Sequence, residues 1–146
     1  MSLISIAEFE EIARERVPLV GQLGVKVEHL DQGLTRLRVP FRDDFLRPGG
    51  TISGPVLMAA ADLAMYGSVL SLIGPVELTV TTSLNINFLR RPHPGDVIAE
   101  ARILKLGKRL AVGEVALFLD GEEEMVAHVT ATYSIPPHGT QRGRSA

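Results

Sequence analysis

The stretch GPVLMAAADLAMYGSVLSLI, residues 54–73, decides the fold of this 146-residue chain. Pro55 suits the first turn of a helix, and Thr51 or Ser53 can cap the free N–H groups before it. A Gly-Pro pair directly after the stretch ends it. Almost no side chain in it is polar, so the sequence predicts one long helix that is buried nearly all round. Its length alone would allow a membrane span, but Asp62 and several Ser and Gly residues favour the core of a globular domain.

Alternating sequence before and after this helix predicts β-strands. The predicted strands are residues 24–30 and 34–39 as a hairpin before the helix, and 77–88, 96–106, 110–119 and 124–135 after it. Period-two alternation within the first strand after the helix predicts an apolar face of Leu78, Val80, Leu84, Ile86 and Phe88 and a polar face of Thr79, Thr81, Ser83, Asn85 and Asn87. This order predicts an α+β fold in which a curved antiparallel sheet wraps around one long central helix.

A short helix and a tail are predicted at the two ends of the chain. Ser5 and Glu8 have the spacing of a capping box, and the apolar residues that follow predict a helix over residues 5–17. Residues 136–146 have the composition of a disordered tail, so we expect a single domain over residues 1–135. A sheet wrapped on one helix leaves strand edges uncovered, and we therefore expect at least a dimer in which sheet edges pair.

Composition disfavours several classes of function. The chain has 15 basic and 17 acidic residues, which gives no electrostatic reason to expect a nucleic acid or a membrane as partner. Without cysteine it has no disulfide, thiol nucleophile or cysteine-ligated zinc, and its sequence contains no phosphate-loop or zinc motif. We therefore expect no metal and no separate cofactor. The first residues carry acids where a signal peptide would be apolar, so the expected location is the cytoplasm.

Asp62 is the residue that this composition does not explain. An ionised carboxylate among alanine, leucine and methionine is costly to bury unless something compensates its charge. A structural carboxylate and a catalytic acid both fit the position, since both kinds of site perturb acids. The turn ending in Ser53-Gly54-Pro55 adds a second feature, because a helix N-terminus offers free N–H groups to a developing oxyanion. The same turn also fits an ordinary helix cap.

Gly54 and Asp62 together offer an oxyanion donor and a carboxylate, the two groups that acyl transfer needs. They lie too far apart, however, to serve one carbonyl group. Eight helical positions separate them, roughly 12 Å along the axis at about 1.5 Å per residue. A partner subunit that brings its own Asp62 opposite this Gly54 would solve the geometry. The sequence therefore predicts a site shared between two chains.

Three segments carry a resemblance to a known family, namely RPGGTISGPVLMAAADLAMYG at 47–67, TVTTSLNINFLRRPHPGDVIAEARILKLGKRLAVGEVALF at 79–118 and VAHVTATY at 126–133. They resemble the PaaI-type acyl-CoA thioesterases of the hotdog superfamily. That family typically has Asn, then a Gly-Thr pair, then His-Gly-Gly and, seven residues after the last Gly, Asp. Gly50 and Thr51 match the Gly-Thr pair, Gly54 the first Gly after His, and Asp62 the acid. The resemblance covers about residues 45–133 and implies a hotdog fold.

The resemblance also implies roles for individual residues. The Gly54 N–H would polarise the thioester carbonyl, and Asp62 of the facing subunit would act as nucleophile or as general base on a water. Thr81 would help to hold that water. Candidates for the acyl pocket are Phe45, Leu46, Arg47 and Tyr66, with plain core packing favoured for Met58. Candidates for binding the phosphates of coenzyme A are Arg90, Arg91, Lys108 and Arg109, each of which fits a solvated turn charge equally well.

Three positions depart from the family pattern. Ser53 stands where His is usual, and we keep it as a candidate catalytic residue. Pro55 stands where the second Gly is usual, and it removes one N–H while stiffening the turn. Arg47 stands where Asn is usual, and a cation there could orient Asp62, recognise an anionic acyl group or simply face solvent. These departures bear on activity more than on fold.

We therefore expect a hydrolase, an acyl-CoA thioesterase that works as a homodimer or a dimer of dimers on medium-chain or aromatic acyl groups. Coenzyme A would be present only as part of the substrate. The alternative is a hotdog protein that binds acyl-CoA or a related ligand without turnover. A hotdog dehydratase fits poorly, because that chemistry generally needs a His paired with an acid. No acid stands at a matching spacing from any of the four histidines, His29, His93, His128 and His138.

Overall fold

The computed structural model describes residues 1–137 of the chain. Its helices are α1 (Ile6–Arg16), α2 (Pro18–Gly21) and α3 (Gly54–Ile73), with a 3-10 turn at Asp43–Phe45. Its strands are β1 (Lys26–Asp31), β2 (Leu34–Val39), β3 (Leu46–Arg47), β4 (Thr51–Ile52), β5 (Val80–Phe88), β6 (Val97–Leu106), β7 (Leu110–Leu119) and β8 (Ala127–Ser134). The predicted tail and His138 fall, from residue 138 onward, outside the described residues.

The long helix α3 packs against one large sheet, as the sequence predicts. That sheet is antiparallel and six-stranded, in the order β1-β2-β6-β7-β8-β5, and β3 and β4 form a separate hairpin in front of the helix. By length and composition α3 could cross a membrane, but 72% of its apolar window is buried inside the chain. Such burial is typical of the core helix of a globular domain, and the arrangement is α+β with one central helix.

The short N-terminal helix α1 confirms its predicted capping box. The N–H of Glu8 donates to Oγ of Ser5 at 3.0 Å, and the N–H of Ser5 donates to Oε1 of Glu8 at 3.0 Å. The buried face of α1 consists of Phe9, Ile12 and Ala13, which join the core. The helix ends at Arg16, one residue earlier than predicted.

Two glycines let α3 lie close to its neighbours. A Cβ on Gly113 of β7 would lie 2.6 Å from Sδ of Met65 and 2.7 Å from the main-chain oxygen of Arg102. A Cβ on Gly67 would lie 2.8 Å from the ring of Phe9. Because protein interiors are close-packed, a side chain at either position would push the helix away. The depth at which α3 sits on the sheet, and with it the place of Asp62, depends on these two residues.

Strand β5 does not keep the predicted alternation, because it contains a β-bulge. Thr81 pairs with Tyr133 of β8 and Ser83 pairs with the neighbouring Thr132, so Thr82 is an extra residue. Since side chains alternate with period two, one extra residue reverses the faces of the strand on one side of it. The sequence gives no sign of this bulge.

The reversed segment is the beginning of β5. Before the bulge, Thr79 is 3% exposed and Val80 is 54% exposed, which is the opposite of the prediction. After the bulge, Leu84 and Ile86 pack against the core, as predicted. The prediction that Thr79 and Thr81 share one face with Ser83, Asn85 and Asn87 was therefore wrong, and the bulge turns Thr81 toward α3.

Candidate active site

Asp62 lies half-buried on α3, with one of its two carboxylate oxygens held by hydroxyl groups. Thr81 donates from Oγ1 to Oδ1 of Asp62 at 2.6 Å. The hydroxyl of Tyr133 lies 2.6 Å from the same Oδ1 and 2.7 Å from the main-chain oxygen of Asp62. Among residues 1–137 no hydrogen bond reaches Oδ2, and this atom is not closed off from solvent. Asp62 thus has one fixed oxygen and one that a ligand or water can approach.

The register of the sheet brings these hydroxyls together. Thr81 of β5 and Tyr133 of β8 are direct cross-strand partners. The bulge after Thr81 turns its side chain toward the helix, and the regular alternation of β8 turns Tyr133 the same way. Sequence reasoning found Thr81 through the family resemblance but did not single out Tyr133. A usable signal was present, because Tyr133 follows the buried Val129 and Ala131 at period two. A buried tyrosine normally needs a partner for its hydroxyl.

The environment keeps the hydroxyl of Tyr133 a donor. Burial, and after it the charge of Asp62, raise the pKa of Tyr133 far above its usual value. The ring of Tyr133 stacks on that of Tyr66 with centroids 6.1 Å apart. Burial, followed by the charge of Glu77, raises the pKa of Tyr66 to about 12. Both phenols therefore stay protonated across the physiological range.

The N-terminus of α3 presents an unpaired donor at Gly54. The hairpin of β3 and β4 leads into it, fixed by bonds from Ile52 N–H to the oxygen of Pro92 and from Ser53 N–H to the oxygen of Phe45, each 2.9 Å. Within the part of the chain that the structure describes, the Gly54 N–H has no acceptor. Ser53 occupies the N-cap position, but its side chain makes no capping bond, contrary to one of the predicted capping roles.

Asp62 and Gly54 do not meet within one chain. Besides their separation along α3, they lie beside opposite ends of β5. Asp62 is bonded to Thr81 near the start of the strand, whereas a Cβ on Gly54 would lie 3.1 Å from the ring of Phe88 at its end. One subunit therefore holds the two halves of the predicted constellation in different places.

The residues proposed for the acyl pocket are only partly accessible. Phe45 is 5% exposed within the core, under the guanidinium of Arg42 at 5.0 Å, and Tyr66 is 6% exposed with its hydroxyl donating to the oxygen of Glu77 at 3.0 Å. Leu46 is half-buried and Arg47 is exposed on β3. Arg47 forms no ion pair with Asp62 or with any other of the described residues of its chain.

Met58 corrects a prediction, because it does not belong to the core. It is 41% exposed on the same side of α3 as Pro55 and Asp62, at positions i, i+3 and i+7. The first half of α3 thus carries an exposed stripe, and the prediction of a helix buried nearly all round holds only for its second half.

The four basic residues proposed for coenzyme A lie at two ends of the sheet. Arg90 and Arg91 follow the end of β5, and Arg90 forms an ion pair with Glu124. Lys108 and Arg109 occupy the turn between β6 and β7, beside the start of β5. There the N–H of Ile135 donates to the oxygen of Arg109 at 2.8 Å. One chain does not bring the two pairs together.

None of the three described histidines, His29, His93 and His128, bonds to Asp62, but two of them have acidic partners that sequence spacing did not show. His93 Nε2 lies 2.5 Å from Oε2 of Glu122, and His128 Nε2 lies 3.0 Å from Oε1 of Glu114. Both pairs bring residues together from different parts of the chain, and neither includes Asp62. Across residues 1–137 no cluster of His, Cys, Asp and Glu could hold a metal ion.

Comparisons with known proteins agree with this architecture. The sequence pattern of the thioesterase superfamily matches residues 49–126, which is more than half of the chain. A provisionally named esterase of Saccharolobus solfataricus is 30% identical over 133 residues, covering 91% of this chain and 87% of that protein. A provisionally named thioesterase from Silicibacter has a TM-score of 0.83 and 39% identity, covering 94% of this chain and 95% of that one.

A third comparison bears on the PaaI resemblance. A variant of the phenylacetic acid degradation protein PaaI from Thermus thermophilus has a TM-score of 0.72 and 31% identity, covering 82% of this chain and 99% of that one. The expected hotdog fold and the PaaI likeness are both confirmed. This chain belongs to the thioesterase superfamily.

Proposed function

We propose that this protein hydrolyses acyl-CoA thioesters to free acid and coenzyme A, in sites shared between two subunits. Membership of a thioesterase family supports thioester hydrolysis in general. The observation that carries the proposal is Asp62, whose Oδ1 is held by Thr81 while Oδ2 stays open. A fixed carboxylate with one free oxygen suits a nucleophile or a general base.

The proposed reaction needs one donor and one carboxylate. The Gly54 N–H donates to the thioester carbonyl oxygen and stabilises the negative charge that develops there. Oδ2 of Asp62 from the partner subunit takes a proton from water, the water oxygen attacks the carbonyl carbon, the C–S bond breaks, and coenzyme A leaves with the proton. Alternatively, Oδ2 attacks the carbon itself, the C–S bond breaks, and coenzyme A leaves as a thiolate that takes a proton from water. A water molecule then cleaves the acyl-aspartate and regenerates the carboxylate. Both routes give the same products.

Edge-to-edge pairing of two β5 strands would supply the partner. β5 ends the strand order of its sheet, so one of its edges has no partner strand within the described chain. Exposed apolar residues accompany that strand, namely Leu78, Val80, Phe88 and Leu89, at 44–54% exposure. Unpaired edges favour association with another strand, and closed dimers are two-fold symmetric. We therefore infer an antiparallel pairing of β5 with its copy.

Antiparallel pairing reverses β5, so the start of one strand comes opposite the end of the other. Asp62 is tied to the start through Thr81, and Gly54 contacts Phe88 at the end. The reversal would bring Gly54 of one subunit opposite Asp62 of the partner subunit. It accounts for the separation of these groups within one chain.

The same reversal supports the assignment of the coenzyme A phosphates. Arg90 and Arg91 lie at the end of β5, and the turn with Lys108 and Arg109 lies beside its start. In the antiparallel dimer these pairs would converge across the interface and form one basic patch beside each site. Such a patch suits a ligand with several phosphate groups. Binding would require Arg90 to exchange Glu124 for phosphate.

A second candidate function is acyl-CoA binding without turnover. Pro55 removes one N–H at the start of α3, and Ser53 provides no imidazole beside Gly54. These departures leave Gly54 as the donor proposed for the carbonyl. The two candidates differ in whether coenzyme A is released.

The test is a panel of short, medium, long and aromatic acyl-CoAs, read with an assay for free thiol. We expect hydrolysis of at least one, and in Asp62→Asn a loss of turnover of about 100-fold or more. The amide oxygen of Asn can still accept from Thr81 and Tyr133, so the fold and oligomer should persist. If wild-type protein releases no thiol above buffer, the hydrolase proposal fails. Binding of the same panel, measured by calorimetry, would then support the second candidate.

A further inference from the structure

Tyr133 is the contact of Asp62 that the proposed mechanism does not yet use. It lies 71 positions further along the chain, and its hydroxyl reaches both the main-chain oxygen and Oδ1 of Asp62. A hydroxyl has one proton to donate, and an ionised carboxylate is a stronger acceptor than a peptide oxygen. With Asp62 ionised, the proton of Tyr133 therefore goes mainly to Oδ1.

Two donors thus converge on one oxygen. Thr81 and Tyr133 approach Oδ1 at 2.6 Å each, from neighbouring strands. A carboxylate held at one oxygen by two donors has little freedom to rotate, and its other oxygen then points in a fixed direction. In Asp62 that other oxygen is Oδ2, which no bond from residues 1–137 reaches.

The phenol of Tyr133 is itself held rigidly. Tyr133 is 2% exposed on β8, which is paired with β5 on one side and β7 on the other. Its ring stacks on that of Tyr66. A side chain on a strand that is paired on both sides has little freedom to move. It can therefore hold the carboxylate of Asp62 to within the fraction of an ångström that catalysis requires.

Building on the proposed hydrolysis, we propose that Tyr133 is a positioning residue, whose hydroxyl acts with Thr81 to fix Oδ1 of Asp62 and so presents Oδ2 to the thioester or its attacking water. Tyr133 does not touch the substrate in this role. It acts through the orientation and charge of Asp62, and its removal should affect turnover more than binding.

Tyr133→Phe tests the role, because it keeps the ring and removes the hydroxyl. We expect kcat to fall about tenfold while KM stays within about twofold, since orientation of the reacting group affects the chemical step. A wild-type kcat, with KM either unchanged or raised, would overturn the proposal.

Thr79→Val is the matched control. Thr79 also faces inward from the start of β5, but its buried hydroxyl has no partner among the described residues. We expect this variant to keep the wild-type kcat and KM. A fall in kcat equal to that of Tyr133→Phe would mean that any buried hydroxyl here has the same effect, and it would overturn the specific role of Tyr133.

A measurement without activity separates this proposal from the proposed function. If wild-type protein hydrolyses none of the acyl-CoAs, the proposed function fails, and crystal structures of wild type and Tyr133→Phe then decide the positioning. A carboxylate of Asp62 that rotates or spreads over two orientations in the variant supports it. A carboxylate with unchanged orientation, still bonded to Thr81, overturns it.

Discussion

The two halves of α3 differ in whether their polar groups are hydrogen-bonded. In the second half, Ser68 and Ser71 are fully buried and both hydroxyls are bonded. Ser68 Oγ lies 2.7 Å from Oγ1 of Thr35, while Ser71 Oγ donates to the oxygen of Ser68 and accepts from Gly33 N–H, at 2.7 Å each. These bonds tie the helix to the first hairpin of the sheet.

The first half of α3 leaves groups without partners in the described chain. The Gly54 N–H has no acceptor, Oδ2 of Asp62 has no donor, and Met58 is 41% exposed. Polar groups near a core are normally paired, so such exceptions require an explanation. The second half of α3 is thus tied to the sheet through its hydroxyls, whereas the first half leaves free, within residues 1–137, the two groups that the proposed shared site uses.

The largest expected effect comes from mixing two inactive variants. Asp62→Asn removes the carboxylate and Gly54→Pro removes the donor, so each alone should lose about 100-fold or more in turnover. Ser53 already has the extended backbone (ψ 147°) that a following proline requires. If Gly54 of one subunit works with Asp62 of the partner subunit, each mixed dimer regains one intact site. Random mixing should then restore about a quarter of wild-type activity, because about half of the dimers are mixed.

The experiment requires subunits that are refolded together, with each variant refolded alone as control. The aromatic ring near Gly54 is the end of the 53% exposed side chain of Phe88, which can move aside for the proline ring. Circular dichroism would verify the fold. If refolded mixtures are as inactive as the separate variants while dimers form, the donor and the carboxylate are not shared between chains.

An intermediate effect is expected in the second half of α3, where the hydroxyls are hydrogen-bonded. Ser71→Ala removes the acceptor of the buried Gly33 N–H, and leaving that donor unpaired should lower the free energy of unfolding by about 1–3 kcal/mol. Turnover per folded molecule should not change, since Ser71 lies nine positions beyond Asp62 on α3. Urea unfolding and kcat at low temperature measure the two quantities. Reduced turnover in fully folded protein would contradict the division of α3 into two ends.

The sequence predicted the parts of this site that depend on contacts between residues close together in the chain, and it missed the parts that depend on distant ones. Helical spacing placed Gly54 and Asp62 on α3 and showed that they are too far apart for one chain. The bulge at Thr82 could not be predicted, because period-two alternation does not reveal an extra residue. Tyr133 was missed because its contact with Asp62 spans 71 positions. The exposure of Met58 was missed because the sequence of α3 does not show which face of the helix the sheet leaves uncovered.

The smallest expected effect concerns Thr79. It tests whether a buried hydroxyl near Asp62 that has no partner in the described chain belongs to the proposed site. Its Oγ1 is buried without a hydrogen-bond partner among residues 1–137, although Thr79 is only 3% exposed. Valine has nearly the same shape, so Thr79→Val should raise the free energy of unfolding by about 1 kcal/mol, or the Tm by about 3 °C. Turnover should stay at the wild-type value. A thermal melt and a thiol-release assay measure both.

Thr81→Val is the same change two residues further along β5, where the hydroxyl donates to Asp62. It should bring no gain in stability, because it breaks a formed bond, and it should lower turnover, because Oδ1 loses one of its two donors. The contrast between these variants separates an unpaired group that only destabilises the fold from a paired group that serves the site. If Thr79→Val also lowered turnover, its hydroxyl would have to be counted with Gly54 and Asp62 among the groups that a ligand completes.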